Sequence, residues 1–167
     1  LSLDVSLHIG SFLAVITFFY KDLIKFIKNK ELFIKILISS LPVMILGFLL
    51  VQTGLISELR NIKVIGWMTL LFGVLLYISD KFNMHKNIES DFTYRSALMI
   101  GFFQMISLVP GVSRSGITIT AARLLKFNRY DAAKISFLLS IPTLAVVSIY
   151  GIKNIVSAEN MNISFLN

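Results

Sequence analysis

Residues 97–125 read ALMIGFFQMISLVPGVSRSGITITAARLL. Two apolar runs lie inside this stretch, Ala97–Pro110 and Ile117–Leu125, of 14 and 9 residues. A helix rises 1.5 Å per residue and needs about 20 residues to cross roughly 30 Å of hydrocarbon. Neither run crosses alone. Pro110-Gly111 separates them, where proline ends one helix and glycine permits a sharp turn. The pattern predicts a re-entrant helical hairpin over about 97–125, dipping into a membrane and returning to the side it left. A single kinked spanning helix is the competing reading, and the charges outside the hairpin discriminate the two.

Hydrophobic residues make up 56% of the 167 positions and charged residues 15%. Mean hydropathy is +0.80. A soluble domain of this size carries nearer a quarter charged residues, because its surface must face water. The remaining apolar blocks are Ile9–Tyr20, Ile36–Val51, Ile62–Ser79 and Ile135–Ile152, with the charges almost wholly between them. These blocks are apolar all round rather than on one helical face, which excludes a soluble helical protein with a polar exterior. The expected fold is all-α, a polytopic transmembrane helical protein whose residues 1–167 form a single membrane domain.

The net charge of +7 would suit a nucleic-acid partner if it formed one stripe. Instead it falls in three short segments. These hold Lys21, Lys25, Lys28, Lys30 and Lys35; then Lys81, Lys86 and Arg95; then Arg123, Lys126, Arg129 and Lys134. The segment Gln52–Asn61 holds only Arg60 against Glu58. By the positive-inside rule the three basic segments are cytoplasmic and the others external. Both ends of the 97–125 stretch then lie on the cytoplasmic side, which the kinked single span cannot satisfy. No nucleic-acid partner is expected. The chain has no basic n-region and cleavage site of a secretory signal. It contains no cysteine, so it has neither disulfide nor thiolate metal site. With no initiator Met it reads as a segment of a longer protein.

The hairpin tip holds the candidate site. Gly111, Ser113, Arg114, Ser115, Gly116 and Thr118 place one charge and three hydroxyls in an apolar stretch. Arginine at membrane depth is costly unless paired or solvated. Its planar fork suits two-point contact with phosphate oxygens. Hydroxyls of Ser113, Ser115 and Thr118 add donors, and a helix beginning near Ser115 would aim backbone N–H groups at the same anion. The two glycines permit close approach of the backbone. An arginine that pairs a carboxylate to hold helices together is the structural alternative. Arg123, on the cytoplasmic flank, is expected to tolerate alanine.

The run Gln104…Leu108-Val109-Pro110-Gly111-Val112-Ser113-Arg114-Ser115-Gly116-Ile117-Thr118 resembles the second signature motif of the bacterial undecaprenyl-diphosphate phosphatases, the bacitracin-resistance family. Arg129-Tyr130-Asp131-Ala132-Ala133, Ser136-Phe137-Leu138-Leu139-Ser140-Ile141-Pro142 and the opening Asp4–Val15 are similar to that family too. The resemblance covers about 1–155. It implies an inverted-repeat fold with two re-entrant hairpins, in the bacterial cytoplasmic (inner) membrane as a multi-pass protein. The implied reaction hydrolyses undecaprenyl diphosphate to undecaprenyl phosphate and phosphate, which recycles the lipid carrier of peptidoglycan synthesis and gives bacitracin resistance. Arg114 would grip the diphosphate, with Ser113 the weaker candidate for a catalytic role. Gly111, Ser113, Arg114, Ser115, Gly116 and Thr118 would bind substrate. The implied partners are the polyprenyl diphosphate and membrane lipids, with a homodimer left open.

One departure is plain. The family's glutamate-rich first signature is absent, and no Glu-x-x-x-Glu exists in the chain. The divalent cation that the family implies, Mg or Ca, therefore has its ligands outside these residues, and the chain alone is expected to be inactive. A transporter or flippase of a phosphorylated polyprenyl lipid is the alternative function; it would need a path open alternately to both sides. An anion channel would need a ring of charge that one arginine does not supply. His8 is read as a polar tip on a helix contact and Asp4 as a helix-start residue. Trp67, Tyr20 and Tyr77 are read as interfacial aromatics. Gly47, Gly66, Gly73 and Gly101 are read as close-packing points, and Pro42 and Pro142 as kinks.

Overall fold

The computed structural model describes residues 28–53, 61–82 and 84–164, with isolated positions 7, 10, 11, 13, 14, 16, 17, 20 and 24 before them; side chains at 147, 148 and from 150 onward are excluded. The readings of Asp4, His8 and Arg60 fall outside the described residues. Every named element is helical: α1 Lys30–Thr53, α2 Ile62–Asp80, α3 Ile88–Asp91, α4 Tyr94–Met105, a 3-10 turn Ile106–Leu108, α5 Arg114–Leu124 and α6 Arg129–Ser164. An isolated bridge joins Lys86 and Phe127. Two compact units are distinguished, residues 29–139 and residues 1–28 with 140–167. The first unit carries the hairpin.

Local sequence explains the boundaries. Asn29 starts α1, its Oδ1 accepting from Leu32 N–H at 3.1 Å. Asn61 starts α2, its Oδ1 accepting from Lys63 N–H at 2.9 Å. Thr93 starts α4, its Oγ1 accepting from Ser96 N–H at 3.2 Å. Each satisfies an N–H group that a helix start leaves unpaired. Pro42 and Pro142 lie inside continuous helices.

α1 and α2 are long and apolar enough to cross a membrane. Ser79 is the one buried residue of α2, while Trp67, Leu70, Leu71, Val74 and Tyr77 are exposed. A helix apolar all round and exposed nearly along its length is stable only where the surrounding medium is itself apolar. The chain is a membrane protein.

Within residues 29–139, α4 packs on α1 and on α5, and α5 packs on α2. The α1–α4 crossing is set by small residues. A Cβ on Gly101 would stand 2.3 Å from the Ser39 carbonyl oxygen. Ser39 Oγ donates to Ala97 O at 2.6 Å across the same contact. Ala97 and Gly101, four residues apart, thus form the close-approach face of α4. The other glycines differ from the sequence expectation. Gly66 and Gly73 have no neighbour within 4 Å of a built Cβ, and Gly47 meets only Leu108 Cδ2 at 3.5 Å, an ordinary contact. Among the described residues those three make no close helix contact.

The chain leaves α2 at Asp80, passes through α3 and α4, and returns along α5. Its two limbs are tied together at the base. Lys86 N–H donates to Lys126 O at 3.1 Å and Asn128 N–H donates to Lys86 O at 3.0 Å. Phe92 and Phe127, both buried, meet edge to face with centroids 6.0 Å apart. Asn87 N–H and the Ser90 hydroxyl hold the Asp91 carboxyl below its ordinary pKa. Lysine ammonium groups stand over tyrosine rings at this end, Lys35 over Tyr94 at 5.3 Å, Lys81 over Tyr77 at 4.6 Å and Lys134 over Tyr130 at 5.9 Å. The described parts of all three basic segments therefore gather at one end.

α5 ends in a Schellman motif. Lys126 N–H bonds to Arg123 O at 2.9 Å and Phe127 N–H to Ala122 O at 3.1 Å. Lys126 holds the left-handed position with φ +77°. Asn128 then starts the next helix: Asp131 N–H donates to its Oδ1 at 2.8 Å, and its Nδ2 donates to Asp131 Oδ2 at 2.7 Å.

Candidate functional site

The hairpin tip is a tight turn followed at once by a helix start. Val112 N–H donates to Val109 O at 3.1 Å. Pro110 and Gly111 are the two central residues, and Gly111 has φ +95°. Proline second and a positive-φ glycine third is the signature of a type II turn. Only glycine fits there for a second reason: a Cβ on Gly111 would lie 2.5 Å from Ile65 O and 2.8 Å from Ile65 Cα. Thr69 Oγ1 donates to Gly111 O at 3.0 Å. The tip is thus fastened to the first half of α2, between Ile65 and Thr69.

That contact measures depth. Ile65–Thr69 lies 11 to 15 residues before Asp80, which is about 17–22 Å along a helix. The base of the hairpin is fixed at Asp80. The tip therefore lies about 17–22 Å along α2 from the base.

Ser113 is the N-cap of α5, its Oγ accepting from Gly116 N–H at 3.2 Å. Ser113 Oγ and Ser115 Oγ are 3.2 Å apart, and both residues are exposed. A Cβ on Gly116 would crowd Ser113 Cβ at 3.2 Å. Arg114, half-buried, is the first residue of α5. The helix starts one residue earlier than the sequence suggested, so the cap serine and the arginine are adjacent at its positive end. Ser113, Arg114, Ser115, Gly111 and Gly116 are brought together at the tip.

Thr118 is not. It is buried, its Oγ1 donating back to Arg114 O at 2.9 Å. The same oxygen lies 2.7 Å from Ser136 Oγ. This hydroxyl pair ties α5 to α6, and Thr118 supports the arginine's carbonyl from behind. Gln104, also in the motif, is buried on α4 with neither carboxamide atom hydrogen-bonded.

At the base, the expectation for Arg123 is overturned. Its side chain is almost wholly buried. Nη1 donates to Phe127 O at 2.9 Å, and Nη2 to Asp80 O at 3.2 Å and to Phe82 O. Nε lies 3.3 Å from Asp80 Oδ1, an ion-pair distance without hydrogen-bond alignment. Arg123 bolts the end of α5 to the end of α2 and to the loop after it. Arg129 grips the same carboxylate from outside, Nε to Oδ1 at 2.8 Å and Nη2 to Oδ2 at 2.8 Å. Asp80 and Ser136 carried no sequence signal of these roles, since their partners lie 43 and 18 residues away.

The tip offers an arginine, hydroxyls and backbone N–H groups, a donor set for a phosphate-sized anion. Residues 108–118 contain no carboxylate, so by themselves they do not fit a divalent cation. Among the described residues no group of three or more His, Asp or Glu side chains is arranged to hold a metal.

The bacitracin resistance protein BacA family model matches residues 1–166. The chain belongs to this family. Relatives named undecaprenyl-diphosphatase are similar throughout. The one from Pelagibacter ubique is 45% identical over 167 residues, covering 99% of this chain and 65% of the relative. Those from Ruegeria sp. and Roseobacter denitrificans are 40% and 41% identical, each over 86% of this chain and covering 58% and 59% of the relative. The chain thus spans less than two thirds of the length of these relatives.

Proposed function

We propose that this chain supplies the phosphate-gripping half of an undecaprenyl-diphosphate phosphatase, which hydrolyses the lipid diphosphate to the monophosphate and inorganic phosphate. The observation that carries this reading is the tip itself, with Arg114 and two exposed serines at the start of a helix, deep along α2. Family membership and the names of the relatives support the substrate class, and the product would return to peptidoglycan synthesis. Arg114 would neutralise charge developing on the diphosphate, an effect that pre-aligned donors supply without reorganisation. Ser113 would hold the helix start open toward the anion while it caps Gly116, and Ser115 would add a hydroxyl. Gly111 and Gly116 would keep the backbone close.

The same reading has the hairpin as re-entrant, one half of an inverted repeat in a multi-pass protein of the bacterial cytoplasmic membrane. Its two limbs meet through Lys86, Lys126 and Asn128, which supports departure and return on one side. The catalytic carboxylates, and the divalent cation they would hold, would come from other residues of the complete enzyme. A homodimer would be compatible with it.

The test is a chimaera in which residues 1–166 replace the matching part of the Pelagibacter ubique relative. Purified in detergent, it is expected to release inorganic phosphate from undecaprenyl diphosphate. A folded chimaera that releases none would overturn the reading.

A further inference from the structure

Lys126 occupies a position that glycine fills without strain. Its φ of +77° is the left-handed conformation at the end of α5, which costs a side-chain-bearing residue about 1 kcal/mol or more. Lys86 is hydrogen-bonded to it through the backbone, N–H to O at 3.1 Å. Both side chains are exposed. The fold therefore holds the backbones of two exposed lysines together, one of them in a strained conformation. The negative end of the α5 dipole favours Lys126 in part, yet it leaves Lys86 unexplained. Among the described residues neither lysine makes an ion pair, those present being Lys35–Glu31 and the two arginines on Asp80. Lys86 does act on the Asp91 charge, but that carboxylate is already held by Asn87 and Ser90.

The three lysine–tyrosine pairs lie at this same end. Tyrosine rings with lysines over them mark the level of lipid headgroups, where an apolar ring and a polar tip are both solvated. We propose that Lys86 and Lys126 form a binding site for the phosphodiester headgroup of an anionic phospholipid in the leaflet at the hairpin base. The bound headgroup neutralises the two exposed lysines and braces the junction where both limbs of the hairpin meet. The site rests on the membrane reading of the fold and is independent of the phosphatase chemistry at the tip.

The chain is reconstituted in nanodiscs of phosphatidylcholine, alone or mixed with phosphatidylglycerol. Retained phosphatidylglycerol is counted by native mass spectrometry, and thermal unfolding is followed in parallel. The unaltered chain should retain phosphatidylglycerol and melt at a higher temperature with it. Removing one lysine charge should weaken retention about fivefold, the equivalent of about 1 kcal/mol, and Lys86→Gln with Lys126→Gln on the order of 25-fold. Lys126→Gly keeps the left-handed turn and separates charge from strain. It should weaken retention about fivefold yet leave the melt in phosphatidylcholine unchanged or higher. Retention by the double variant equal to that of the unaltered chain would overturn the proposal. So would a lower phosphatidylcholine melt for Lys126→Gly, which would make Lys126 a structural residue. Displacement of the lipid by equimolar inorganic phosphate would assign the pair to a free anion instead.

Discussion

Gly111 and Ile65 touch backbone to backbone, so closely that a methyl group on Gly111 would overlap the Ile65 carbonyl oxygen at 2.5 Å. This contact seats the hairpin tip on α2. Gly111→Ala adds that clash to a positive φ and should destabilise the protein by at least about 2 kcal/mol. Thr69→Val, which loses only the bond to Gly111 O, should cost about 1 kcal/mol. Thermal unfolding in detergent measures both. An alanine variant as stable as the parent would show that the tip is not held against α2.

Two arginines that share Asp80 should differ sharply on truncation. Arg123→Ala leaves the carbonyls of Phe82 and Phe127 without this donor and that of Asp80 with only Arg129 Nη2 at 3.3 Å, and should cost about 2–3 kcal/mol. Arg129→Ala removes an exposed pair and should cost about 1 kcal/mol or less. Arg123→Lys should rescue little, because one ammonium cannot reach three carbonyls on different segments. Denaturant midpoints in detergent order the three variants.

At the tip, Arg114→Lys keeps the charge and loses the fork. In the chimaera with the Pelagibacter ubique relative it should lower turnover on the order of a hundredfold or more, about 3–4 kcal/mol of transition-state stabilisation. Arg114→Ala should be at least as severe. Turnover is compared with folded yield, because an arginine that only joins helices would lower both together. A folded Arg114→Lys chimaera with near-normal phosphate release would leave Arg114 a structural residue.

Single cysteines report topology. Positions Glu31, Ser90 and Tyr130 lie at the basic end and Gln52 at the far end of α1, all exposed. A membrane-impermeant thiol reagent applied to intact cells should label Gln52→Cys and spare the other three. Asn128 is avoided, since its carboxamide bonds Lys86 O, Asn87 Oδ1 and Asp131 Oδ2. Labelling of Tyr130→Cys from outside would break the same-side return of the hairpin.

The break between two short helices at Pro110-Gly111 was legible before any coordinates because its signals are local. The lengths of Ala97–Pro110 and Ile117–Leu125 limit how far each can run, and Pro110-Gly111 fits few backbone conformations besides a turn. The anion binding proposed for Arg114 with Ser113 and Ser115 rests likewise on the chemistry of those side chains in an apolar stretch. Thr118 shares their chemistry, but its place on α5 turns it toward Ser136, and a linear motif does not show which side of a helix another helix will cover. Gly66, Gly73 and Gly101 were indistinguishable as letters; Ser39 crosses at one of them, and among the described residues nothing crosses at the other two. Arg123 and Arg129 make the same point most sharply. Both are arginines in one basic segment, and both bind Asp80. One is an exposed partner and the other a buried bolt because three backbone carbonyls, from positions 80, 82 and 127, converge on Arg123. A carbonyl belongs to every residue alike, so its convergence leaves no mark in the sequence and is decided only when the chain folds.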